Sequence, residues 1–162
     1  MRTIGEPLEV KQTPETGYQA QFSGPYVVAA ALMGGSGLGL GLADFTDELA
    51  RDPARRELMA RVVVEADEDC DRIYPHELPC VLTVWTRDGE VLEERVLANR
   101  GGPQRPLSDE ELARKFDDNA RSVLDPDTAT ALRTAVDGLP TAASVRGLLD
   151  ATAVLGSPAE DV

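Results

Sequence analysis

The chain has 162 residues, 42% of them hydrophobic, and a formal net charge of -13 from 29 acidic against 16 basic residues. That hydrophobic share excludes disorder throughout, and the length allows one domain or two small ones. The acidic balance excludes nucleic acid and anionic membrane surfaces as expected partners, because the basic residues stand singly or in pairs such as Arg55-Arg56 and Arg114-Lys115.

From the N-terminus, Pro7 to Lys11 reads as a short extended piece, and Thr13-Pro14-Glu15-Thr16-Gly17 carries turn chemistry. Gln19 to Leu32, QAQFSGPYVVAAAL, is the most informative stretch. Ser23 is placed as an N-cap, Pro25 sits where a first helical turn tolerates it, and an almost uninterrupted apolar helix follows, ending at Gly34-Gly35. Such a helix must be buried on every side, and a chain this short in aromatics has little to surround it with. The expected consequence is packing against something beyond this chain.

Asp44 to Asp52 reads as a short helix, and Asp52-Pro53 restarts another carrying Leu58 and Met59. Arg61 to Ala66 is β-branched and strand-like. Leu78 to Thr86 and Glu90 to Ala98 flank Arg87-Asp88-Gly89, a strong hairpin signal. Val81, Thr83 and Trp85 fall on one side of the first strand, Leu82 and Val84 on the other, so a sheet covered on one face and partly on the other is expected. Asn99 to Pro106, NRGGPQRP, reads as a linker. Beyond it Ser108 and Glu111 form a capping-box pattern, with Leu112, Phe116 and Ala120 on one helical face. Asp125-Pro126 opens a second helix and Leu139-Pro140-Thr141 a third, and Gly156 to Val162 is expected to fray.

Chemical motifs are sparse. The glycines of Gly34 to Gly41 follow a helix, whereas a phosphate loop must open one, so a flexible helix exit is expected there. In Glu65 to Asp71, EADEDCD, alternate aspartates have calcium-loop spacing, but Arg72 and Leu78 stand where glycine and a bidentate glutamate are needed. A solvated acidic loop is expected, with no metal. His76 is the only histidine, so multi-histidine metal sites are ruled out, and a loop residue is favoured over a catalytic base. Cys70 and Cys80 read as reduced thiols, no charged-then-apolar leader opens the chain, and its longest apolar run, Tyr26 to Met33, is far below the ~20 residues of a membrane span. The expected location is cytoplasmic. No catalytic constellation emerges from these residues and no cofactor is expected. Free N-H groups at the start of the apolar helix make Gln19, Gln21 and Ser23 the candidate substrate-binding residues, facing a carboxylate; the alternative is that Ser23 only caps and Tyr26 only packs.

The order QAQFSGPYVVAAAL, ADFTDELARDPARRELMARV, a strand pair turning at RDGEV and GGPQRPLSDEELARKFDDNA resembles the C-terminal part of the MmgE/PrpD family. The family includes 2-methylcitrate dehydratase, cis-aconitate decarboxylase and iminodisuccinate epimerase. The similarity runs from about Arg2 to Leu149, its most specific pieces being Phe22-Ser23-x-Pro25-Tyr26 and Pro106-Leu107-Ser108-x-Glu110-Glu111-Leu112-x-x-Lys115-Phe116. It implies a large helical domain and a smaller lid with the active site between them, and acid-base residues upstream of Met1. The decarboxylases' active-site tyrosine aligns near Leu8, where this chain has none.

The expected fold is α+β: a small lid-type sheet with a β-hairpin packed by helices (1–105), then C-terminal helices (106–155) and a flexible tail (156–162). The resemblance implies a C-terminal half or subunit of a lyase or isomerase acting on small polycarboxylates, 2-methylcitrate dehydratase-like, needing a helical N-terminal-half subunit, a homo-oligomer, or both. The second function class is a non-catalytic interaction module derived from that family.

Overall fold

The structure, a computed structural model, describes residues 2–35 and 38–153. The expected frayed tail and the Ser36-Gly37 step of the glycine loop lie outside the described residues. The chain divides into two compact units between Ser108 and Asp109, and its mix of short helices with one antiparallel hairpin makes it α+β.

The first unit opens with α1 (Arg2–Gly5) and α2 (Leu8–Gln12). The expected extended piece at Pro7 to Lys11 is thus helical. Pro7 itself is extended at φ -69 and ψ 141, and its carbonyl accepts from Lys11 N at 3.2 Å, so the proline starts the helix from outside it. Thr16 caps α3 (Gly17–Ala20), accepting from Gln19 N. Ser23 caps α4 (Gly24–Leu32), with Pro25 in its first turn. A 3-10 turn at Leu42–Asp44 leads to α5 (Asp47–Ala50), capped by Thr46, and α6 (Pro53–Met59), capped by Asp52.

The core gathers where α4 meets α6, around Ala20, Tyr26, Ala29, Ala30, Ala50 and Met59, with Leu40, Phe45 and Leu58 packed against it. Small residues on α4 let α6 come close. α4 is not enclosed on every side: Val27 and Val28 are half-buried, and Leu32 is 59% exposed. At Gly17 the Phe45 carbonyl oxygen would lie 1.8 Å from an added Cβ, so α3 can take no side chain at this crossing.

The segment Arg61 to Ala66, expected as a strand, is irregular. Its Val62 carbonyl accepts from the Gln12 amide at 3.1 Å, and Val64 lies against Gly5 and Gly24. The β-branched residues act as a plug over α1 and α4, and a side chain takes the place of a ladder partner. The acidic stretch that was expected as a loop is instead α7 (Glu68–Ile73), because Asp67 accepts from Cys70 N and caps it.

β1 (Cys80–Trp85) and β2 (Val91–Val96) pair antiparallel, Cys80 opposite Val96 and Trp85 opposite Val91. Gly89, at φ +90, closes the turn that Asp88-Gly89 announces. Both sheet faces leave large apolar side chains exposed, Leu82 and Leu92 on one, Trp85 and Val91 on the other; neither face has the cover expected for it.

The second unit holds α8 (Asp109–Ala120), α9 (Pro126–Asp137) and α10 (Arg146–Ala153). Asp125 caps α9 by accepting from Asp127 N and Thr128 N, both at 3.0 Å. Leu139–Thr141, expected to open the third helix, forms a separate 3-10 turn, and the helix starts at Arg146. α9 packs against both neighbours. Ala129 is buried, whereas Leu112, Val145 and Leu149 are more than half exposed.

Ser23 does more than cap: its hydroxyl donates to the Lys11 carbonyl at 2.5 Å while accepting from Tyr26 N at 3.0 Å. A bare cap tolerates Ser→Gly at a few tenths of a kcal/mol. Ser23→Gly is expected to lower stability by about 1–2 kcal/mol, since the Lys11 carbonyl also loses its partner; urea denaturation measures it.

Candidate functional site

The lead-in to α4 is positioned by α3, whose first amide, Gly17 N, donates to Asp47 Oδ1 at 2.8 Å and ties the turn to α5. Gln19 is exposed, and its Oε1 accepts from Glu15 N at 2.7 Å; Gln21 is exposed as well. Ser23 is fully buried, with its hydroxyl bonded on both sides. The structure therefore places the two glutamines at the surface and the serine beneath it, not on one accessible surface. Beside them Tyr18 and Phe22 stack edge to face at 5.3 Å, and the Lys11 ammonium lies 5.9 Å from the Phe22 ring centroid.

Deeper in, α4 presents Tyr26 to α6 and the Leu42–Asp44 turn. The phenol donates to the Asp44 carbonyl and accepts from Arg55 Nη1 at 3.3 Å, and the guanidinium also lies 5.6 Å from the ring centroid. Arg55 is only 8% exposed. Asp52 bonds Arg55 N at 2.8 Å, and the Asp44 carboxylate accepts from Gly41 N at 2.8 Å. Burial pushes the Tyr26 phenol above its usual range, Arg55 partly opposes this, and Asp44 and Asp52 add to it. A phenol kept protonated and bonded on both lone-pair and proton sides is a clasp between elements rather than a proton donor to a ligand. The sequence offers Tyr26 as a packing residue only as the alternative to a carboxylate-facing helix start, and Arg55 as half of a basic pair. Arg55, three residues after the capping Asp52, lies 29 residues from Tyr26, so no local spacing announces their contact.

Other candidates lie apart. His76 is exposed in the loop between α7 and β1. Hydrogen bonds from Cys70 hold the Asp67 carboxyl below the usual range, as expected of a cap. Among the described residues no group of three or more His, Cys, Asp or Glu side chains could hold a metal ion. In the second unit an open depression of about 480 Å³ is lined by Glu110, Arg114, Asp117, Arg121 and Arg133, among others. Arg133 Nη1 of α9 stands 3.5 Å from Asp117 Oδ2 of α8, so this arginine already faces a carboxylate of the neighbouring helix.

Residues 1–140 match the MmgE/PrpD C-terminal domain family. The chain belongs to the MmgE/PrpD family. Over 126 residues this MmgE/PrpD C-terminal domain is 32% identical to cis-aconitate decarboxylase of Mus musculus, covering 78% of this chain and 25% of that protein. Over 119 residues it is 31% identical to cis-aconitate decarboxylase of Homo sapiens, covering 74% of this chain and 24% of that protein. The chain thus spans about a quarter of the length of these relatives. The matched span includes the whole α4 lead-in and the Tyr26, Asp44 and Arg55 clasp.

Tyr26→Phe removes the hydrogen bonds of the phenol to the Asp44 carbonyl and to the buried Arg55 together, and an expected loss of about 1–3 kcal/mol follows. Because the folded-state phenol titrates above its ordinary value of 10.0, its contribution is complete below that pH and is lost as pH rises through the folded value. Stability of the wild-type chain should therefore fall more steeply above that pH than stability of Tyr26→Phe, as followed by alkaline denaturation.

Proposed function

We propose that this domain is the C-terminal part of a lyase or isomerase acting on small polycarboxylates, and that a helical partner carries the acid and base. The observation that carries this reading is the family match over residues 1–140 together with the alignment to cis-aconitate decarboxylase. Abstracting a proton beside a carboxylate and expelling a neighbouring hydroxyl or carboxylate requires a positioned base, an acid and cationic groups for the anionic ends. A formal charge of -13 with two lysines and one histidine equips this domain poorly to hold a polycarboxylate unaided. Its part in the shared site is to present the exposed Gln19 and Gln21 amides to the substrate's carboxylates. Ser23, bonded on both sides, fixes the lead-in that carries them.

The purified chain is expected to give no dehydration of 2-methylcitrate or citrate and no decarboxylation of cis-aconitate. Mixed with the N-terminal portion of a family member, ending where the alignment to this chain begins, it is expected to form a complex with turnover. Robust turnover by the chain alone contradicts the division of labour, whereas a tight but inert complex supports the interaction-module reading. In an active complex, Gln19→Ala with Gln21→Ala should lower kcat/KM about tenfold or more, equivalent to about 1.4 kcal/mol of transition-state binding, at unchanged urea midpoint. Unchanged kinetics would remove both glutamines from the site.

A further inference from the structure

The two cysteines of the chain, Cys70 on α7 and Cys80 at the start of β1, are both free thiols. Tertiary contacts bring them to one end of the hairpin. Asp69, the residue before Cys70, has its Oδ2 3.7 Å from Arg95 Nη1. Arg95 lies opposite Val81, the residue after Cys80, and Cys80 itself pairs with Val96. The electrostatics agree with this placement: Arg95 acts on both the Asp67 carboxyl and the Cys70 thiol, and Cys80 acts on Cys70.

The surroundings of the two sulfurs differ. Cys80 is exposed to reagents from solvent, whereas Cys70 is half-buried. Burial and a hydrogen bond to the Asp67 carboxylate push the Cys70 thiol above its usual range. Cys70 N also donates to Asp67 Oδ1 at 2.8 Å, which keeps that carboxylate beside the sulfur. An exposed thiol near a protonated one, with a base at hand for the second proton, is the arrangement of an attacking and a resolving cysteine. A disulfide sets its two Cα atoms about 4.4–6.8 Å apart. α7 buries no residue, and its ion pair to the hairpin is exposed on both sides, so little opposes a small adjustment of the helix toward β1.

We propose that Cys70 and Cys80 form a reversible disulfide between α7 and β1, with Cys80 as attacking thiol, Cys70 as resolving thiol and a small disulfide such as oxidised glutathione as the oxidant. The Cys80 thiolate attacks one sulfur of the small disulfide and breaks its S-S bond. One glutathione thiolate leaves and takes up the proton that Cys80 has lost. The Cys70 sulfur then gives its proton to Asp67 and attacks the Cys80 sulfur of the mixed disulfide, and the second glutathione leaves with that proton. Two protein thiols lose two electrons in all, and one glutathione disulfide becomes two thiols. The bridge closes residues 71–79, His76 among them, into a ring. It is independent of the catalytic reading.

The full chain, equilibrated in glutathione redox buffers and quenched with an alkylating agent, is expected to lose both free thiols as a monomolecular product. Trypsin should then release peptides 62–72 and 73–87 joined together, separating on reduction. The effective concentration of one thiol at the other should be at least about tenfold higher in native buffer than in urea, because the fold and not only the short loop brings them together. Cys70→Ser should trap one glutathione on Cys80, and Cys80→Ser should take up little on Cys70. Thiols that stay alkylatable in oxidising buffer, a bridge between two chains, equal effective concentrations in buffer and urea, or glutathione settling on Cys70 as readily as on Cys80 would each overturn the proposal.

Discussion

A single phenol sets the geometry of the first unit. α4 is built from glycine, proline, valine and alanine apart from Tyr26 and the terminal Leu32, so most of its surface is smooth and would allow sliding or rotation against α6. Tyr26 removes that freedom because its hydroxyl must satisfy a backbone carbonyl on the Leu42–Asp44 turn and a guanidinium on α6 at once. Both bonds are made out of water, where leaving either group unpaired costs more than the bond contributes in solution.

The neighbouring elements are placed in consequence. Tyr26 receives the buried Arg55 guanidinium, and the same helix, α6, carries Met59 into the core. Ser23, three residues before Tyr26, carries the constraint backward by joining the first turn of α4 to the Lys11 carbonyl at the end of α2. Val64 then closes the same helix start from the other side. The hairpin and the three C-terminal helices have no comparable buried polar anchor among the described residues. Trp85, Val91, Leu112, Val145 and Leu149 among their apolar side chains stand more than half exposed.

Local chemistry made several elements legible. Ser-x-Pro before an apolar run, Asp-Pro at residues 52 and 125, and Asp-Gly between alternating strands each satisfy or bias a specific backbone group, and each appears where that chemistry puts it. The family was legible too, from the order and spacing of segments that the match over residues 1–140 covers. What escaped was settled at a distance. Leu8 to Gln12 became helix because Pro7 starts it, and the β-branched Val62 to Val64 became a plug because the Gln12 amide and two glycines 40 to 60 residues earlier receive it. The candidate site was legible only as a lead-in: Gln19 and Gln21 are exposed as a ligand would need, while the second bond of Ser23, and with it the burial of the hydroxyl, depends on a carbonyl that no local pattern marks.

The central claim is that Tyr26 and Arg55 act together to fix α4 on α6, and a double-mutant cycle with Tyr26→Phe and Arg55→Met in urea denaturation tests it most directly. Methionine keeps much of the packing of the arginine stem while removing the charge, so the cycle isolates the polar contact. A coupling energy of about 0.5–3 kcal/mol is the predicted result. Strict additivity of the two substitutions would contradict it.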